Sequence, residues 1–136
     1  MHRASSIDLH SGIAHAMTTL IHASLPARYR RLTFQMVNLA GAFPMLVERM
    51  DPLVATRDPA APRPSAMLDG IWVDNASLGP KALALGLAVF GADRVMLGTD
   101  YPIFATEIAT AALEGSPARD RIGWKNAAGL LARYAS

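Results

Sequence analysis

The chain alternates between two kinds of apolar pattern. Leu9, Ile13, Met17, Leu20, Ile21 and Ser24 fall on one face at a 3.6-residue period, which predicts a helix over residues 5–25. Ser5 or Ser6 would cap its start and Pro26 would close it. Arg31-Leu-Thr-Phe-Gln-Met-Val37 then alternates as a strand, ending at Asn38. A second helix is expected from Pro44 through Leu46, Val47 and Met50, stopped by Asp51-Pro52. Residues 51–65 hold four prolines and predict an irregular excursion, either a surface loop or a lid. Ile71-Trp-Val73 predicts a second strand, tipped by Asp74 and Asn75. Gly79-Pro80 opens a helix carrying Leu83, Leu87 and Phe90, with Gly91 at its end. Val95-Met-Leu97 predicts a third strand, closed by Gly98 and Thr99, with Asp100 at its tip. Helix is expected over Ile103 to Glu114, then a turn from Ser116-Pro117 through Ile122. Asn126 would cap a last helix bearing Leu130, Leu131 and Tyr134.

The order helix–(strand–helix)×3 predicts an α/β fold with parallel strands and right-handed crossovers. All strand C-termini then share one edge. Asn38, Asp74 and Asp100 each follow a strand, so the pattern predicts that they converge there. The same residues also suit ordinary turns and caps, and the pattern leaves both readings open. Three strands with apolar outer edges predict a partner: copies of the same chain, or the remainder of a larger closed sheet.

Composition narrows the class. With 51 % apolar and 18 % charged residues over 136 positions, a single domain spanning 1–136 with a real core is expected. The formal charge is only +2, and the cluster Arg28, Arg30 and Arg31 has no interleaved aromatics, so a solvated loop is expected and no nucleic-acid partner. The absence of cysteine excludes disulfides, thiolate zinc sites and thiol nucleophiles within the chain. No apolar run reaches a membrane-spanning length and no secretory pattern opens the chain, so no membrane partner and a cytoplasmic location are expected. The four histidines, His2, His10, His15 and His22, are spread apart by helical spacing and are not expected to be metal ligands. Asn38-Leu-Ala-Gly-Ala-Phe follows a strand but lacks the glycine pattern of a nucleotide-binding turn.

Several segments together resemble a known family. Phe-Gly-Ala-Asp-Arg-Val (90–95) followed by Leu-Gly-Thr-Asp-Tyr-Pro (97–102) resembles the last-strand motif of the amidohydrolase superfamily, in the aminocarboxymuconate-semialdehyde decarboxylase branch. Gly41-Ala-Phe-Pro44 with Arg49, Ile71-Trp-Val-Asp74, and Ile122 with Asn126-Ala127 and Leu130-Leu131 resemble that branch's neighbouring segments, in order. The resemblance implies the last three βα units of a TIM (β/α)8 barrel. It implies a metal-dependent hydrolase or decarboxylase acting on a small organic acid or a cyclic or amide substrate. It implies a divalent metal, zinc in the usual case, and a metal-activated water. On it, Asp100 is the catalytic residue and metal ligand or general base, while Asn38 and Asp74 line the substrate pocket.

The departures are specific. Asn38 stands where the family carries a histidine, and asparagine exchanges no proton near neutral pH. No His-x-His occurs. Since a catalytic zinc needs about three protein ligands, the chain would depend on a missing N-terminal barrel portion or on a homo-oligomer. The alternative is a non-catalytic remnant, or an oligomerising binding module that keeps the fold without the metal ligands.

Overall fold

The computed structural model describes residues 3–135. His2 therefore lies outside the described residues. A single wide helical turn, Ala4–Asp8, runs into helix α1 (Leu9–His22), followed by the short α2 (Leu25–Arg28). Strand β1 (Phe34–Met36) leads through a tight turn, Asn38–Ala40, into α3 (Phe43–Arg57). A turn at Pro64–Ala66 precedes β2 (Ile71–Asp74), α4 (Pro80–Phe90) and β3 (Val95–Met96). The chain ends with α5 (Thr106–Ala111), a wide turn Arg121–Lys125 and α6 (Asn126–Ala132).

The sheet has the order β1-β2-β3 and is parallel throughout. Phe34 pairs with Ile71 and Met36 with Val73; Val73 in turn pairs with Val95, and Asp74 with Met96. All four residues of β2 are buried, as expected for a parallel strand covered on both faces. The expected α/β plan of parallel strands alternating with helices is what the chain forms, and its strand C-termini share one edge.

Local deviations have local causes. In α1, Ile13, Ala14, Met17 and Ile21 are buried, but Leu9 is 45 % exposed because the apolar stripe begins a turn later. Pro26 does not close this helix. Ser24 turns the chain at φ 52°, and Pro26 then sits in the first turn of α2, where its missing N–H costs no bond. Asp51-Pro52 does not stop α3, which runs on to Arg57. Pro52 is exposed, so its ring points away from the core, and the Asp51 carboxylate instead accepts the Ser65 N–H (3.0 Å) and hydroxyl (2.6 Å). The expected long loop shrinks accordingly to residues 58–63.

Strand β3 is shorter than expected, because the Leu97 N–H donates to the Ile122 carbonyl (2.9 Å) and not to a strand. Residues 103–105 are not helical: the Asp100 carbonyl accepts from Ile103 (2.9 Å) and Phe104 (3.4 Å), and extended Ala105 precedes α5. Asn126 is not a cap. It lies inside continuous helical backbone, and its side-chain amide donates to the carbonyls of Ala92 and Val95, both at 2.7 Å.

The core lies between the sheet and α1, α3 and α4, around Met17, Ile21, Phe43, Val47, Ile71, Val73 and Val95. The rings of Phe43 and Phe90 stack at 6.3 Å between centroids. No strand covers the outer side of β1 or β3 among the described residues.

Candidate functional site at the C-terminal edge of the sheet

Asn38 follows β1, Asp74 ends β2 and Asp100 follows β3, so topology delivers all three to the same edge. Their environments differ. Asp74 is 7 % exposed, and its Oδ1 accepts the backbone N–H groups of Asn38 (2.8 Å) and Ala76 (3.1 Å). The bond to Asn38 ties the tip of β2 to the tip of β1.

Asn38 is 6 % exposed and begins a run of left-handed backbone: φ is 52° at Asn38, 52° at Leu39, 61° at Ala40 and 62° at Gly41. Each non-glycine residue held this way costs about 1–2 kcal/mol, less for asparagine. Gly41 is required, because a Cβ there would lie 2.2 Å from the His10 carbonyl oxygen. Burial of Leu39 and Ala40 offsets the strain, as do the bond from the Ser77 hydroxyl to the Asn38 carbonyl (2.8 Å) and that from the Ala42 N–H to the His10 carbonyl (3.3 Å). The Asn38 side-chain amide makes no hydrogen bond among the described residues. Its polar atoms are not fully enclosed, since the one fully enclosed side-chain polar atom without a partner among the described residues is His10 Nδ1.

Asn75, which the strand pattern did not single out as a site residue, completes the edge. It is 1 % exposed; its Oδ1 accepts the Gly98 N–H (2.9 Å) and its Nδ2 donates to the Ala109 carbonyl (3.3 Å). Gly98 itself admits Asp74, since a Cβ there would lie 2.6 Å from the Asp74 Cγ. The tandem Asp74-Asn75 at a strand end was the available signal: two short polar side chains, one for each neighbouring strand.

Asp100 is exposed, at φ 54°, and its carboxylate has no hydrogen bond or ion pair among the described residues. The structure therefore joins Asn38 to Asp74 by a hydrogen bond and gives the Asp100 carboxylate no hydrogen bond to either. Among the described residues no group of three or more His, Cys, Asp or Glu side chains could hold a metal ion. A metal centre does not fit this set of residues alone; what the chain offers is one open carboxylate. His15 and His22 are exposed and His10 half-buried. A cleft of about 560 Å³, lined in part by Arg30, Leu32, Asp69 and Gly70, lies at the opposite end of the strands, before β1 and β2, so it takes no part in this edge. No helix among the described residues is long and apolar enough to cross a membrane.

A family model described as Amidohydrolase matches residues 6–133. The chain is 29 % identical, over 92 % of its length, to the 2-amino-3-carboxymuconate-6-semialdehyde decarboxylase of Caenorhabditis elegans, and spans 34 % of that curated relative. Among solved structures, the IDCase of Metarhizium anisopliae in its apo form is similar with a TM-score of 0.82 at 19 % identity, covering 97 % of this chain and 43 % of the other. A dihydroxybenzoic acid decarboxylase from Polaromonas, solved with bound manganese and the inhibitor 2-nitroresorcinol, is similar with a TM-score of 0.76 at 21 % identity, covering 90 % of this chain and 40 % of the other. These solved structures are TIM barrels, and the three strands and their helices correspond to part of one.

Proposed function

Because this chain belongs to the amidohydrolase family, we propose that it supplies the closing βα units of a metal-dependent barrel enzyme, a decarboxylase ahead of a hydrolase, acting on a small organic acid. The observation that carries the reading is Asp100: an exposed carboxylate with no protein partner, just beyond a barrel strand, in a chain that matches the family model from residue 6 to residue 133. The decarboxylases among its relatives support catalysis over a non-catalytic remnant.

A divalent cation, when bound, would supply Lewis-acid chemistry. Asp100 would be one donor to it, and the other donors would come from strands outside these 136 residues. Zinc is the cation the family resemblance implies, and manganese is the one held by the Polaromonas enzyme. In the other role the resemblance implies, Asp100 would instead be the general base, its carboxylate having no hydrogen bond among the described residues. Asn38 and Asp74 would line the substrate side of the edge. Asn38 offers a neutral amide that donates and accepts hydrogen bonds but moves no proton. Asp74 already spends Oδ1 on two backbone N–H groups, which suits it to holding the edge in place.

The test is complementation. The chain is co-expressed with a polypeptide carrying the preceding βα units of such a barrel; divalent metal content and carbon dioxide release from a small aromatic acid are then measured. Asp100→Ala should lower turnover by about 100-fold or more and remove the metal, with an unchanged circular dichroism spectrum because the side chain is exposed and unbonded. Turnover and metal content that survive the substitution would sink the assignment.

A further inference from the structure

We propose that Asp74 is a positioning residue: its Oδ1 clamps the left-handed turn after β1 and thereby fixes the side-chain amide of Asn38 at the strand edge. The clamp stands on geometry alone, whereas its use in presenting Asn38 to a substrate rests on the function proposed above.

Four successive residues, Asn38 to Gly41, hold positive φ. Such a run does not persist without restraint. Leu39 and Ala40 are restrained by burial in the core. Asn38 is restrained differently, from both sides of its backbone: its N–H is bound by Asp74 Oδ1, and its carbonyl accepts the Ser77 hydroxyl and the Gly41 N–H, also at 2.8 Å. With both backbone groups held and the residue nearly buried, its side chain has little freedom. Its amide nevertheless makes no hydrogen bond to protein among the described residues, and its polar atoms are not fully enclosed. A preorganised polar group of this kind loses little freedom when it binds a ligand. Asp74 is itself held in place by the Ala76 N–H and by the close approach of Gly98, where no Cβ fits.

Amide hydrogen exchange of the 136-residue chain, followed by nitrogen-15 NMR, tests this without any turnover, so its failure is distinct from failure of the functional reading. In Asp74→Ala, the Asn38 N–H should exchange about 10-fold faster or more, and the Asn38 side-chain amide resonances should shift. The Val73 and Leu97 amides, bonded to Arg94 and Ile122 carbonyls, should keep their rates. Asp74→Asn retains an oxygen acceptor at Oδ1 and should hold the Asn38 rate within about 3-fold of the parent. Gly98→Ala pushes against the carboxyl and should speed Asn38 exchange with Asp74 still present. Unchanged Asn38 exchange in Asp74→Ala would overturn the clamp, and so would uniform acceleration of all these amides. If Asp74→Ala does not fold, Gly98→Ala decides: faster Asn38 exchange with the Val73 rate kept supports the clamp, and an unchanged Asn38 rate overturns it.

Discussion

Asn126 ties two elements together with one amide. Both of its N–H bonds go to main-chain carbonyls, at Ala92 and Val95, that frame the entry to β3. Asn126→Ala would leave these carbonyls without their donor, and an orphaned buried acceptor costs about 1–3 kcal/mol. The Val95 bond is buried and the Ala92 bond only partly so, so urea unfolding should show a loss of about 1–3 kcal/mol; a loss under about 0.5 kcal/mol would mean that water replaces the amide freely. The sequence marks Asn126 as polar and well placed at a helix start, so a cap is the natural reading. Its real partners are more than thirty positions earlier, and no local pattern reveals them. Asp74 teaches the same thing. A strand-end carboxylate was legible from position alone, whereas its bond to the Asn38 backbone depends on the register of two strands that are far apart in sequence.

At the level of elements, alternation located β1, short apolar runs located β2 and β3, and helical spacing located α1, α3 and α4. It failed where one residue's usual preference was outvoted. Pro52 reads as a stop, yet α3 carries through it for five more residues. The ring faces solvent, and the Thr56 hydroxyl donates to the Pro52 carbonyl (2.8 Å). A proline inside a helix is less favourable than alanine by up to about 3 kcal/mol. Pro52→Ala should therefore raise the unfolding midpoint, and a lowered midpoint would show that the proline fixes the link to Ser65 through Asp51. The segment after Pro102 failed in the other direction. Ile103 and Phe104 look helical, but the Asp100 carbonyl captures both of their N–H groups and delays α5.

Across the whole molecule, the expected plan and the resemblance pointed the same way as the structure: parallel strands, one shared C-terminal edge, and part of a TIM barrel. The edge residues were legible because α/β folds bring strand ends together. The network joining Asn38, Asp74, Asn75 and Gly98 was not, since its bonds run from main-chain N–H groups of one unit to side-chain oxygens of another. The chain corresponds to under half of each solved relative compared, and both outer strands stand without a neighbouring strand among the described residues. Tyr101, Ile103, Trp124 and Leu131 are exposed besides.

On the proposed function, this chain contributes one carboxylate to a metal centre that other strands complete. The most direct measurement is elemental analysis for zinc and manganese on a monodisperse size-exclusion peak of the 136-residue chain. One carboxylate is far short of the about three ligands of a catalytic site, so the expected result is metal well below one ion per chain, unchanged in Asp100→Ala. About one ion per chain, lost in Asp100→Ala, would contradict the account and mean that the chain or its oligomer builds the centre unaided.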